Sequence, residues 1–228
     1  MTRAPRRGLA APALLLVAVA LAALGMWQLQ RRAWKHALIA SVEARIHAAP
    51  VPAPGGAGWP DIDAARDAYR RVHATGRLDH DRATLVRAVT ERGGGYWVMT
   101  PLVTPAFTVL VNRGFVPPER KARFGRAGGT VTVTGLLRVS EPRGGFLRAN
   151  DPAADRWYSR DVAAIAVARG LGRVAPYFID ADAAPGAGGY PVGGMTVVRF
   201  ADNHLAYALT WFALAALAGW AAWRVRRG

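Results

Sequence analysis

Two uninterrupted apolar runs bracket this chain and constrain it more than any other feature: Leu9 to Leu29, 21 residues without a charge, and Leu205 to Trp223, 19 residues. At 1.5 Å of rise per residue they reach roughly 32 and 28 Å as helices, about the thickness of a bilayer's hydrocarbon core. Both are therefore predicted to be transmembrane helices. Arg3, Arg6 and Arg7 precede the first run, as basic residues precede a secretory signal. A signal's apolar core is shorter, roughly 7 to 15 residues, so the first run is read as a retained anchor.

Basic residues set the orientation. The first run has Arg3, Arg6 and Arg7 on one side and Arg31, Arg32 and Lys35 on the other, and decides nothing. The second is followed by Arg224, Arg226 and Arg227, with only Arg199 close before it, which places the C-terminus in the cytoplasm. With two spans the N-terminus lies on the same side. The expected layout is a cytoplasmic tail at 1–8, a span at 9–29, an outer domain at 30–203, a span at 204–223 and a second tail at 224–228.

Charge and cysteine usage narrow the function classes. The chain has no cysteine, which excludes a disulfide framework, a thiolate metal site and a haem attached through Cys-x-x-Cys-His. Six of its 30 basic residues and none of its 15 acidic ones lie in the tails, so the outer domain holds 24 against 15, a balance of +9. Outside the membrane, anionic lipid headgroups, ligand carboxylates or an acidic partner suit that balance better than nucleic acid.

After the first span, "RRAWKHALIASVEARIHAAP" keeps Trp34, Leu38, Val42 and Ile46 on one helical face. The helix is expected to continue beyond the span and stop near Pro50, where "APVPAPGGAGWP" reads as a linker. From Tyr69 the pattern changes to short β-branched and aromatic segments bounded by turn residues. These are "YRRVHATG", "ATLVRAV", "YWVMTPLV", "FTVLVNRG", "TVTVTGLLRV", "APYFID" and "MTVVRF". Thr104-Pro105-Ala106 is a hairpin turn between the third and fourth. "RDVAAIAVARGLG" is a helix with Asp161 as N-cap and Gly170 at its end. "DADAAPGAGGYPVGG" is read as a loop. The predicted fold is two transmembrane helices flanking an α+β outer domain with a mainly antiparallel sheet or small β-barrel.

Enzymatic signatures are missing: no nucleophile elbow, no Walker loop, no histidines or carboxylates at metal spacing. Asp79, His80 and Asp81 are adjacent, but neighbours along a strand turn do not share a face, so a solvated turn is the expectation. Arg113, Arg160 and Asp161 are read as fold-holding polar contacts, and Gly93-Gly94-Gly95 as a turn. His204 differs by position, since it opens the second span. On a helix it shares a stripe with Tyr207, Ala208, Trp211 and Ala215. It is either an interfacial cap residue beside Asn203 or a ligand. In the first span Gly25, Gln28 and Arg31 or Arg32 recur at helical spacing, so a close-packed seam through Ala18 and Ala22, and through Ala215 and Gly219, would set Gln28 and Arg31 near His204.

In order and spacing, "GMWQLQRRAWKHALI", "TGRLDHDRATLV", "GYWVMTPL", "VLVNRGFVP", "GLLRVSEP", "NDPAADRWYSRD", "PYFIDA" and "PVGGMTVVRFADNHLAYALTWF" resemble the surfeit-locus family of cytochrome c oxidase assembly proteins. The resemblance covers about Gly25 to Phe212. It implies a noncatalytic protein that binds haem a as transient cargo and assists its insertion into oxidase subunit I, with subunit I, haem a synthase and membrane lipid as partners. It implies His204 as the haem iron ligand, with Tyr207 and Trp211 matching the same block and Gln28 and Arg31 expected beside it. Arg31, Arg113 and Arg199 are candidate partners for the haem propionates. The alternative is a membrane-anchored scaffold that stabilises subunit I or haem a synthase without binding haem. Mitochondrial members carry a transit peptide before the first span; here eight residues precede it, so a bacterial plasma membrane is the expected location.

Overall fold

The computed structural model describes residues 7–126, 128–142, 144–145, 148–183, 189–196, 200 and 202–227. The chain divides into two compact units, one of residues Met1–Ser41 with Val198–Gly228, the other Val42–Val197.

The first unit is a helix pair. Helix α1 runs unbroken from Arg7 to His47 and ends three residues before Pro50. The final helix, α4, is His204–Arg227. Both are long and apolar enough to span a membrane, and only 11% of the most apolar window of each is buried. Leu15, Leu16, Val19, Leu24, Leu209, Leu217 and Trp220 are all exposed, a surface that water does not tolerate and lipid does. The protein is thus a two-span membrane protein with a sheet domain between its spans. The covered positions form a seam of small residues: Ala11, Ala18, Ala22 and Gly25 on α1, and Ala208, Ala215, Gly219 and Ala222 on α4. At Gly25 a Cβ would lie 2.7 Å from the Phe212 ring, so glycine is what lets α4 approach here.

The second unit is a β-barrel. Its strands are β1 (Val51–Pro52), β2 (Arg71–Leu78), β3 (Thr84–Thr90), β4 (Gly93–Val103), β5 (Thr108–Val116), β6 (Thr130–Val139) and β7 (Val174–Ala181). They lie in the order β1-β2-β6-β7-β5-β4-β3. An additional antiparallel pairing of Arg77 with Val103 and Leu78 with Leu102 joins β2 to β4 and closes β2, β6, β7, β5 and β4 into a five-stranded barrel. The barrel ladders are antiparallel except β5 against β7.

Alternation sorts the side chains into two cores. Val72, Ala74, Leu78, Leu102, Val109, Val111, Leu137, Tyr177 and Ile179 fill the barrel. Residues of opposite parity, Leu110 and Phe178, join Val86, Met99 and Trp157 on the outer face. Helix α3 (Val162–Ala168) covers that face with Val162 and Ile165. Asp161 caps it by accepting from the Ala164 N–H at 3.1 Å, and Gly170 follows it at φ 58°, as its sequence predicts.

Six of the seven expected strands appear where the alternation puts them. The seventh, "MTVVRF", has Val197, Val198 and Arg199 outside the described residues, and Met195, Thr196 and Phe200 are not in a strand. Its place in the count is taken by β1, inside the segment read as a linker. That segment is fixed by one carbonyl: Pro54 O accepts from the Tyr177 hydroxyl at 2.7 Å and from Trp59 Nε1 at 3.0 Å. Trp59 then packs edge-on against Phe107, 5.7 Å between centroids. Proline removes donors but keeps its acceptor, so this Pro-rich stretch makes only a short ladder, Val51 with Val72 and Pro52 with His73, and is held beyond it through the Pro54 carbonyl. A short helix α2 (Ala64–Asp67), capped by Asp63, leads from there into β2. The hairpin at Thr104 is as expected, with its hydroxyl donating to Phe107 O at 2.6 Å. The triple glycine opens β4, and Gly93 has φ 92°.

Candidate functional site

Gln28 lies on the same face of α1 as Arg32 and His36, at i, i+4 and i+8, and this face meets the start of α4. His204 Nδ1 donates to Gln28 Oε1 at 2.8 Å. His36 Nε2 donates to Asp202 Oδ2 at 2.6 Å, and Arg32 Nε lies 3.7 Å from the same oxygen. Asp202 Oδ1 accepts from the His204 N–H at 3.1 Å, which satisfies one of the free donors at the helix N-terminus. The cap is therefore Asp202, and Asn203 contributes its carbonyl to the Tyr207 N–H at 3.2 Å. The hydrogen bond from His36, then that from the His204 backbone, hold the Asp202 carboxyl below the usual carboxylate range.

These contacts fix the chemistry of the imidazole. A neutral ring carries one proton; with Nδ1 donating to an amide oxygen, Nε2 keeps its lone pair. Among the described residues Nε2 has no hydrogen-bond partner, and the side chain is partly exposed. A ring oriented by a second residue with its other nitrogen open is how proteins present histidine to a metal. Gln28 and His204 stand at corresponding ends of the two apolar runs: Leu9 to Gln28 and His204 to Trp223 each cover 20 residues, about 29 Å of helix axis.

Trp211 is partly buried one face-repeat along α4, whereas Tyr207 is 56% exposed. Thr210 turns inward on its own helix, donating to Ala206 O at 2.9 Å. Arg31 is exposed with its guanidinium 4.9 Å from the Trp34 ring centroid; the guanidinium at Asp202 is that of Arg32. Arg113 belongs to the barrel, and Arg199 lies outside the described residues. The residues of "LDHDR" point apart, Asp79 to Arg82, His80 to Arg113 and Asp81 to Arg126. Among the described residues no group of three or more His, Asp or Glu is placed to hold a metal ion.

The barrel carries a second polar cluster that the sequence only half reveals. Asp180, 4% exposed, accepts from Asn112 Nδ2 (2.8 Å), Arg138 Nη1 (3.0 Å), Arg160 Nη1 (3.1 Å) and Thr196 Oγ1 (3.0 Å). Arg160 also grips Glu141 with two donors, at 3.0 and 2.6 Å. Burial works against the Arg160 charge, but Asp180 and Glu141 outweigh it and raise its pKa above the ordinary guanidinium value. Arg160 thus pairs across the fold and not with its neighbour Asp161. With four donors on one carboxylate, the cluster is saturated and holds β5, β6, β7 and the α3 entry together. The one signal in the sequence is an aspartate inside the apolar strand "PYFIDA", which demands partners.

The profile of the SURF1 family matches residues 15–216. Surfeit locus protein 1 of Mus musculus is 38% identical over 225 residues, covering 89% of this chain and 71% of its own. The Homo sapiens protein of the same name is 37% identical over 226 residues, 89% and 73%. A SURF1-like protein of Monosiga brevicollis is 36% identical over 223 residues, 90% and 83%. Matches that run through both helices and the barrel leave one conclusion: the chain belongs to the SURF1 family.

Proposed function

We propose that this protein is a haem a carrier for assembly of cytochrome c oxidase, holding its cargo at the outer end of the two spans and passing it to subunit I. The observation that carries the reading is the open Nε2 of His204, with Nδ1 tied to Gln28. Imidazole is a standard axial ligand of haem iron, and a noncovalent cargo needs no cysteine. Family membership supports the oxidase context, and the two candidate spans support a membrane location.

The chain's own residues divide the work. Gln28 orients His204 and keeps its proton on Nδ1. Trp211, on the same stripe of α4, offers an aromatic wall, and exposed Tyr207 a hydroxyl at the rim. Arg31, three residues beyond Gln28, supplies a cation for propionates. At the headgroup level, an apolar tail stays in lipid while charged groups remain in water. A single axial nitrogen suits a carrier, because release then breaks one bond, which differential affinity for a partner accomplishes. No bond-making step is required of the protein. The location we propose is a bacterial plasma membrane, with both termini cytoplasmic and haem a synthase as donor.

The test is a pigment spectrum. Protein purified from cells that make haem a is expected to show a haem spectrum, and His204→Ala to lose it. Full haem occupancy in the variant would sink the ligand assignment; copurification of subunit I with a haem-free protein would favour a scaffold.

A further inference from the structure

The barrel has a mouth, apolar on one side and polar on the other, that holds an arginine with no carboxylate partner among the described residues. Leu78 of β2, Val111 of β5, Val131 and Val133 of β6, together with Tyr190 and Arg113, line a concavity of about 930 Å3. That volume lies in the range of small-molecule sites, roughly 300 to 1,000 Å3. Two other arginines reach it and both are neutralised, Arg71 by Asp182 and Arg126 by Asp81. Arg113 instead donates through Nη2 to Gly125 O at 2.6 Å and through Nη1 to His80 Nδ1 at 3.2 Å. Among the described residues no carboxylate lies within 4.0 Å of it, and the residues outside that set contain no aspartate or glutamate side chain.

A guanidinium has five donors, so three of those on Arg113 have no described partner. Burial acts on the charge and lowers its pKa from the ordinary guanidinium value, since a half-buried cation has lost water without gaining an anion. Desolvated arginine forks favour planar anions. Valine, leucine and the Tyr190 ring make an apolar side to the mouth, and Thr132, Thr134 and the Arg71–Asp182 pair complete the lining; the apolar side favours a ligand with an apolar body over a bare phosphate.

We propose that the barrel mouth binds a small amphipathic carboxylate, its anionic group on Arg113 and its apolar body against the half-buried Val131, Val133 and Tyr190. The proposal uses none of the residues of the proposed haem site and does not depend on it.

The experiment uses the full-length protein in nanodiscs, with empty nanodiscs subtracted, and 4-phenylbutyrate as probe against its uncharged counterpart 4-phenylbutanol, read by saturation-transfer NMR. The acid is expected to bind saturably and at least tenfold more tightly than the alcohol. Arg113→Gln is expected to remove that preference, Arg113→Lys to keep part of it, and Val133→Asp, which supplies a competing carboxylate, to abolish acid binding. Equal binding of acid and alcohol to the wild type overturns the proposal, whether or not Arg113→Gln folds. So does an unchanged preference in folded Arg113→Gln. Loss of the signal in His204→Ala assigns the binding to the helix-end site and also overturns it.

Discussion

Gln28 Oε1 stands 2.8 Å from His204 Nδ1, joining two residues 176 positions apart and fixing which imidazole nitrogen is open. Replacing Gln28 with leucine removes that partner while keeping the side chain's bulk. Haem affinity is expected to fall about 10- to 100-fold, the usual cost of losing the residue that orients a ligating histidine. Gln28→Glu, which accepts the same proton more strongly, is expected to keep the pigment and lower its reduction potential. Spectral titration and redox titration of the purified variants read both effects.

The helix pair depends on Gly25. Because a Cβ there would meet the Phe212 ring at 2.7 Å, Gly25→Val is expected to push α4 away and weaken haem retention about as much as Gln28→Leu. Phe212→Ala in the same chain makes room, and the double variant is expected to recover much of the loss. If the two changes add instead of compensating, the close approach is not what positions His204.

Asp180 is the centre of the barrel's ion network. Asp180→Asn leaves Arg138 and Arg160 sharing one carboxylate, Glu141, in a buried setting. Breaking such a pair typically costs about 3–5 kcal/mol. Denaturant unfolding followed by tryptophan fluorescence, which includes buried Trp157, is expected to show a loss of that size.

Acid sensitivity of the barrel has a definite sign at Asp67. This buried carboxylate is opposed by desolvation, but the Asp63 N–H at 3.0 Å and the guanidinium groups of Arg66 and Arg70 outweigh it and lower its pKa. A depressed carboxylate contributes stability above its unfolded value, near 4, and loses it as the pH falls through the lower folded value. Asp67→Asn is therefore expected to be less stable than the wild type at pH 7, with the gap narrowing below pH ~4. Melting temperatures across pH 2.5 to 7 check the convergence.

What is local in this fold is legible in the amino-acid sequence. The strands from Arg71 to Val139, the Asp161 cap and the Thr104 hairpin each have their signal within a few residues. The pairing of Gln28 with His204 was legible because both helices have a fixed period and a polar residue where the apolar run ends. Arg31 shows the limit of that argument: one residue is 100° of helix, and Arg32 holds the position facing Asp202 instead. Non-local features without such a periodic frame are illegible, whatever their span. β1 forms by pairing Val51 with Val72 and Pro52 with His73 of β2, and the stretch after it is held where Pro54 accepts from Tyr177, 123 positions away; Asp180 gathers donors from four separate segments.

The barrel is closed unequally. β2 meets β6 along seven residue pairs from Arg71 to Arg77, whereas its ladder with β4 has two, Arg77 with Val103 and Leu78 with Leu102, continued by one bond from the Asp79 N–H to Pro101 O at 2.8 Å. Hydrogen-bonded edges part where they are shortest, so the cylinder has a zip whose first tooth is this corner. Thermal breathing there would splay the β2–β4 junction while the long ladders stay shut, and the amides that bond across it, that of Asp79 to Pro101 O among them, would trade hydrogen for deuterium ahead of the rest of the sheet.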